Sequence, residues 1–169
     1  MSEPAQARPA VGRTAPAFQA RDTHGATVSL VELRGAPVLL VFIPFAFTRV
    51  CGNEVAALRD RHAELTAGGA RVLVITCDSM MTLRAWAEAE DLPFDLLSDF
   101  WPHGAIARSY GAFGAGDGAP DRLSVLVDAE GVVRWTTSSP RGQARDVEEY
   151  LTAIRSLAGS GVSAPGVVR

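Results

Sequence analysis

The sequence predicts an α/β domain built on a mixed central β-sheet flanked by helices, with an N-terminal hairpin. Three observations lead there. Residues 37–43 are a continuous apolar run of strand length, and residues 71–77, apolar from 72 to 75, read as a second buried strand, the pattern of strands covered on both faces. Apolar residues recur at helical spacing between and after these runs. Residues 123–128 and 132–136 are strand-like and separated by Ala129-Glu130-Gly131, which predicts a late hairpin.

The elements follow in order. Residues 1–11 carry Pro, Ala, Gln and Ser without periodicity and read as a mobile tail. Residues 18–20 and 27–30 flank a polar stretch closing on Gly25, a short hairpin. The run 37–43 is the first buried strand. Val55, Leu58, His62 and Leu65 then share one helix face, and Gly68-Gly69 ends that helix. After the strand 71–77, Asp78 or Ser79 caps a helix whose inward residues are Leu83, Trp86 and Ala87. Leu96-Leu97 mark a short strand, and residues 105–110 a short helix stopped by Gly111. The late hairpin comes next. A last helix over residues 144–157 points Val147, Leu151, Ile154 and Leu157 at the core. Residues 159–169 read as a second tail, which leaves one domain over 12–158. Helical crossovers between buried strands imply right-handed βαβ units. Such a mixed sheet between helices is the thioredoxin-like architecture, and an open doubly wound α/β domain is the alternative.

Composition removes several function classes. At 169 residues, 47% apolar and 21% charged, the chain has the make-up of one soluble globular domain. A net charge of −3 without basic clusters argues against a nucleic-acid partner. All 16 basic residues are arginine, so Schiff-base or phosphate-loop lysine chemistry is excluded. No apolar run approaches the roughly eighteen residues of a membrane span, and the opening residues lack the apolar stretch of a signal peptide. Two cysteines, Cys51 and Cys77, are too few for a disulfide-rich scaffold. A reducing cytoplasm is the expected address. His24, His62 and His103 share no metal-ligand spacing, and no metal site is expected.

In α/β sheets the reactive crevice lies beyond the carboxyl ends of the strands. The segment leaving the first buried strand, PFAFTRVCGNE from Pro44 to Glu54, puts Cys51 where loop becomes helix. Unpaired amides and the positive dipole end favour an anionic sulfur at such a place. Thr48, three residues earlier, can turn its hydroxyl into the same cavity. Pro44, lacking an N–H, can wall it without competing for hydrogen bonds. Phe45, Phe47, Trp101 and Phe113 suit an apolar mouth or a dimer contact, and His103 borders the same region. Packing is the default reading for such aromatics. A cysteine beside an apolar strand is usually a small core residue. That reading is kept for Cys77, which ends a buried strand; its context reverses it for Cys51.

Pro-x-x-x-Thr-x-x-Cys, here PFAFTRVC, resembles the active-site loop of the peroxiredoxins. The segments VLLVFIPFAFTRVC, DLLSDFWPHGAIARSYGAF and DRLSVLVDAEGVVRW are similar to the one-cysteine peroxiredoxins of the alkyl hydroperoxide reductase E type, a resemblance that covers residues 12–157. Three such residues at that spacing would arise by accident in about one chain per hundred or fewer. Their place after a buried strand, with the other segments in order, sets accident aside. The resemblance implies that Cys51 is the peroxidatic cysteine, that Thr48 orients the peroxide, and that Pro44 shields the sulfur. It implies Arg122 as the active-site arginine and Glu54 as the carboxylate that holds an arginine in place. Arg49 falls at a variable position, where it adds positive field or faces solvent.

The implied activity is a thiol-dependent peroxidase acting on hydrogen peroxide and organic hydroperoxides, with peroxynitrite as a further substrate. Cys51 would become a sulfenic acid resolved by an external thiol, with no cofactor. The implied reductant is a low-molecular-weight thiol with a glutaredoxin-like protein, or thioredoxin, and the implied assembly a homodimer. No cysteine stands five positions after Cys51 or near the C-terminal end, where two-cysteine relatives keep a resolving thiol. For Cys77 to bridge Cys51 directly, their Cα atoms would have to lie within about 7 Å.

Thiolate supply alone does not explain fast peroxide reduction. Lowering a thiol pKa from about 8.5 to about 6 raises the thiolate fraction near neutrality only about tenfold. With a Brønsted slope of about 0.4–0.5, nucleophilicity falls by a similar factor. Acceleration then has to come from donors aimed at the oxygens, for which Arg122, Thr48 and the helix amides are the candidates. The rival from another class is a non-enzymatic thioredoxin-fold protein, a peroxide sensor or chaperone-like binder. A thiol–disulfide oxidoreductase needs Cys-x-x-Cys, whereas Gly52-Asn53-Glu54 follow Cys51.

Overall fold

Every residue of Val38–Phe42 is buried, because side chains alternate across a strand and both faces of this one are covered. Leu39, Val41 and Ile43 enter one core, and Val38, Leu40 and Phe42 enter another. The structure is a computed structural model that describes residues 6–160. In chain order its elements are β1 (Gln19–Arg21), β2 (Thr27–Ser29), β3 (Val38–Phe42), α1 (Arg49–Asp60), α2 (His62–Thr66), β4 (Arg71–Thr76) and α3 (Met80–Glu90). There follow β5 (Asp95–Ser98), α4 (Ala105–Ser109), β6 (Phe113–Gly114), β7 (Ala119–Pro120), β8 (Arg122–Val127), β9 (Val133–Ser139) and α5 (Val147–Ser160).

The main sheet runs β2-β1-β5-β4-β3-β8-β9. β3, β4 and β5 are parallel, while β8 pairs antiparallel with both β3 and β9. This is the thioredoxin-like mixed sheet. Leu58, Leu65, Leu83, Trp86, Leu151 and Ile154 bring α1, α2, α3 and α5 onto one face. Phe18, Leu30, Ile106 and Tyr110 bring the N-terminal region and α4 onto the other. Each such side chain contributes about 1.5–3 kcal/mol when buried. The carboxyl ends of the parallel strands therefore share one edge, where the loops after β3 and β4 meet the start of β8.

Some boundaries differ from expectation. The single helix expected through Val55 and Leu65 is two, because Arg61 (φ −108°, ψ 11°) turns a corner between α1 and α2. Its guanidinium pairs with Glu64 and with Glu148 of α5. The apolar spacing barely records a corner one residue long. α5 starts at Val147 rather than residue 144, since Asp146 Oδ1 accepts the Glu148 N–H at 2.9 Å as a cap and Arg145 is drawn elsewhere. It continues to Ser160, past the expected domain end at 158. The β6–β7 ribbon was not expected, its two-residue strands being too short for any periodicity. Of the expected tails, residues 1–5 and 161–169 lie outside the described residues. Within residues 6–11, Arg8 donates to Ser138 Oγ at 2.9 Å. The backbone around Ala7 lies so close to Gly111 (φ +61°) that a Cβ there would overlap it.

Asp99 follows β5 and caps α4: Oδ1 accepts from Ile106 N–H at 3.0 Å and Oδ2 from Ala107 N–H at 2.9 Å. Burial pushes its pKa up to about 6, against the opposing pull of the two amides, His103 and Arg108. A carboxyl whose folded pKa is raised binds its proton in the native state first. Its contribution to stability is therefore complete below about pH 4 and lost as pH rises through about 6. The stability difference between wild type and Asp99→Asn is expected to grow as pH falls across that window, by up to about 1.4 kcal/mol per pH unit. Urea midpoints of the two proteins across the window check this; a constant difference would contradict it.

Candidate active site

Leaving β3, the chain passes through buried Ile43 and Pro44 and reverses at Phe47, whose φ of +61° lies in the left-handed region. For a bulky residue this costs about 1–3 kcal/mol and persists only where the surroundings enforce it. Those surroundings are on hand. Asp78 Oδ2, just past β4, accepts the Ala46 N–H at 2.9 Å and the Thr76 hydroxyl at 2.8 Å. Thr48 Oγ1 donates to Phe45 O at 2.9 Å, and the Phe47 ring packs on Trp86 with centroids 6.1 Å apart. Thr48, with extended backbone, is the residue from which α1 starts, so Cys51 falls in its first turn. Amides of a first turn have no helical acceptor, and the positive end of the dipole lies there.

Cys51 is wholly buried. Arg122, the first residue of β8, brings Nη2 to 3.4 Å from Cys51 Sγ. Its Nη1 pairs with Glu54, and its Nε donates to Arg141 O at 2.7 Å. Glu54 stands one turn beyond Cys51 on α1 and holds a second guanidinium, that of Arg145. Oε1 accepts from Arg145 N–H at 2.9 Å and from Nε at 2.8 Å, and Oε2 from Nη2 at 3.2 Å. Arg145 also donates to Ser124 Oγ at 2.9 Å and Phe42 O at 2.8 Å. Ser124 Oγ is bonded in turn to Tyr150 OH at 2.8 Å. The side chains of Arg122, Glu54 and Arg145 are 3%, 3% and 1% exposed. Two guanidinium charges thus face one carboxylate, and the surplus positive charge faces the sulfur.

The chain matches the AhpC/TSA family over residues 11–136. It belongs to that family. Alkyl hydroperoxide reductase E of Mycobacterium tuberculosis is 39% identical over 148 residues, 87% of this chain and 97% of that relative. Crystalline Plasmodium vivax 2-Cys peroxiredoxin superposes with a TM-score of 0.82 at 26% identity, over 94% of this chain and 89% of the other. Enterococcus faecalis AhpC has the same fold, with a TM-score of 0.84 at 22% identity, over 95% and 99% of the two chains. The molecule is a peroxiredoxin, and its activity is that of a thiol-dependent peroxidase.

In this peroxiredoxin the structure brings Cys51, Glu54 and Arg122 into one cluster, with Pro44 and Thr48 on the segment leading to it. Arg145 was missed by sequence reasoning, which assigned it to the last helix. The available signal was Asp146, a good N-cap that would have left Arg145 outside the helix. Arg49 is exposed. Phe45 and Phe47 lie on the loop before Thr48 and are 41% and 58% exposed. Trp101 is 83% exposed. His103 shares a hydrogen bond with Gly118 O at 2.5 Å and meets Phe113 edge-on. Among the described residues, no hydrogen bond ties Trp101 or His103 to the cysteine cluster.

Both cysteines are free. Cys77, just past β4, has its pKa pushed up to about 12 by burial first, then by Asp99 and Asp78. Among the described residues there is no group of three or more His, Cys, Asp or Glu that could hold a metal ion, and no helix long and apolar enough to cross a membrane. A groove of about 1090 Å³ between Pro37, Asp128, Trp135 and α5 lies at the other end of the sheet, away from the sulfur.

Proposed function

We propose that this peroxiredoxin reduces hydrogen peroxide and organic hydroperoxides, with peroxynitrite as a further substrate, through a sulfenic acid on Cys51 that an external thiol resolves. The observation that carries this is the Arg122 guanidinium 3.4 Å from a cysteine sulfur in the first turn of a helix. The thiolate attacks one peroxide oxygen in line. The O–O electron pair departs with the other oxygen, which takes a proton and leaves as water or alcohol, or leaves as nitrite when peroxynitrite is the substrate. Arg122 Nη2, beside the sulfur, is placed to donate to the bound peroxide as negative charge passes from the sulfur toward the departing oxygen. Thr48 Oγ1 has committed its proton to Phe45 O, so its lone pairs are left to accept from the peroxide O–H. First-turn amides add donors, and Pro44, buried and without an N–H, takes the shielding role. Cys51 is fully buried, so a peroxide needs a local opening beside the loop that leads into α1. Phe45 and Phe47 on that loop give an approaching organic peroxide an apolar surface.

Cys77 makes a poor resolving thiol, since a pKa of about 12 keeps it protonated near neutrality. An external thiol instead attacks the sulfenic sulfur and displaces water, and a second thiol releases reduced Cys51 and a disulfide. A low-molecular-weight thiol with a glutaredoxin-like protein, or thioredoxin, fits that sequence. The electrons come from the thiols, so no prosthetic group is required. Two free thiols suit a reducing cytoplasm. Exposed Phe47, Phe100 and Trp101 support a homodimer that covers them.

Stopped-flow oxidation of wild type, Cys51→Ser and Cys77→Ser, with mass spectrometry of the products, tests the reading. Only Cys51→Ser is expected to lose the reaction, and the wild-type product to carry one added oxygen. A rapid Cys51–Cys77 disulfide would overturn the external-thiol step.

A further inference from the structure

We infer that Arg141 is a positioning residue for Arg122, acting through a clasp on the segment that delivers Arg122 to the sulfur. Arg141 lies in the connection between β9 and α5, and its carbonyl accepts Arg122 Nε at 2.7 Å. Its guanidinium reaches the segment between β6 and β8. Nη1 donates to Asp117 Oδ2 at 2.6 Å, and Nη2 to Asp117 Oδ1 and Ala119 O, each at 2.9 Å. Nε and Nη2 both approach Asp121 Oδ1 at 3.4 Å, and Asp121 is the residue before Arg122. A single side chain thus joins the strand that carries Arg122 to the loop whose carbonyl steadies it. Gly114 supplies the seat: a Cβ there would overlap Arg141 Nη2.

The geometry explains why the clasp matters. Arg122 has one edge on Glu54, a contact about which a guanidinium can still swing. The Nε bond to the Arg141 carbonyl stops that swing and leaves Nη2 aimed at Cys51. That carbonyl lies between two anchors of its loop, the ladder pairing of Ser139 with Arg122 and the bonds of Arg145 to Glu54. The other ties of the stretch between them are internal, Ser139 Oγ to Gln143 O and Gln143 N–H to Pro140 O. Between those anchors the Arg141 side chain ties the stretch to the segment before β8, and so fixes the carbonyl against it. Arginine suits the task because its planar fork serves several acceptors at once, which lysine cannot do. The Arg141 and Asp117 side chains are 33% and 46% exposed, so the pair itself adds little stability. Its consequence lies in placement, to which reacting groups are sensitive at the 1 Å level.

The inference rests on the reading that Arg122 assists oxidation of Cys51, and the test separates the two. Rate constants for oxidation by hydrogen peroxide are measured on the full chain for wild type, Arg141→Met, Arg141→Lys, Asp117→Asn, Arg122→Met and Arg122→Met/Arg141→Met. Thermal midpoints are recorded beside them, with the remote Arg134→Met as a control. Arg141→Met is expected to react about tenfold more slowly, Arg141→Lys to recover part of the rate, and midpoints to match the control. Asp117→Asn is expected to lose several-fold, and so serves if Arg141→Met fails to fold. In the Arg122→Met background, Arg141→Met is expected to cost nothing further. Equal losses in both backgrounds, or a wild-type rate for Arg141→Met, would overturn the clasp. A wild-type rate for Arg122→Met would instead bring down the reading of Arg122 itself.

Discussion

Arg122→Met is expected to slow peroxide oxidation of Cys51 by about 10²–10³-fold, the loss usual when one donor to a developing negative charge is removed. Three features of the structure support so large an effect. The guanidinium is 3% exposed, so water does not screen its charge. It is held by Glu54 and the Arg141 carbonyl before any substrate arrives, so little reorganisation is needed as the O–O bond breaks. Methionine occupies similar volume, and Glu54 keeps its bonds to Arg145, so the fold tolerates the change. The pH dependence separates two causes. A deficit caused only by loss of thiolate disappears at a pH where the thiol is fully ionised. A deficit that persists there belongs to the transition state. Stopped-flow rates across the pH range decide it, and recovery of the wild-type rate at alkaline pH would refute the donor role.

Glu54→Gln is expected to destabilise the domain by about 3–5 kcal/mol, the range for breaking a buried ion pair from one side. That is a large part of the roughly 5–15 kcal/mol that holds a typical domain together. The carboxylate is the counter-charge of both Arg122 and Arg145. Glutamine keeps one acceptor oxygen and turns an amide donor toward guanidinium donors, leaving two buried cations unneutralised. Arg145→Met introduced into Glu54→Gln is then expected to cost much less than it does in wild type, because it removes one of the orphaned charges. Urea denaturation of the four proteins measures this cycle. A loss below about 1 kcal/mol for Glu54→Gln, or simple additivity, would mean that the three side chains do not share one desolvated cluster.

The parts that could be read from the sequence are those in which cause and effect lie close together along the chain. β3 and β4 announced themselves as apolar runs because both their faces are covered. The loop from Pro44 to Cys51 was legible for a similar reason, since strand end, helix start and reactive sulfur fall within a few residues of each other. The β8–β9 hairpin was marked by its turn. The corner at Arg61 and the β6–β7 ribbon escaped, being too short to alter a period.

Arg145 lies 91 positions from Glu54 and Arg122 lies 71 from Cys51. Arg122 was found through family resemblance, and Arg145 was not found at all. Hydrophobic order is local, and one chain segment suffices to display it. A buried charge must instead be neutralised by whichever distant segment the fold carries past it. Sequence alone determined the main sheet, the helices packed on it apart from the corner at Arg61, and the place of the sulfur; the pairing of Glu54 with two arginines, and the clasp by Arg141, were decided when separate loops closed around one buried cluster.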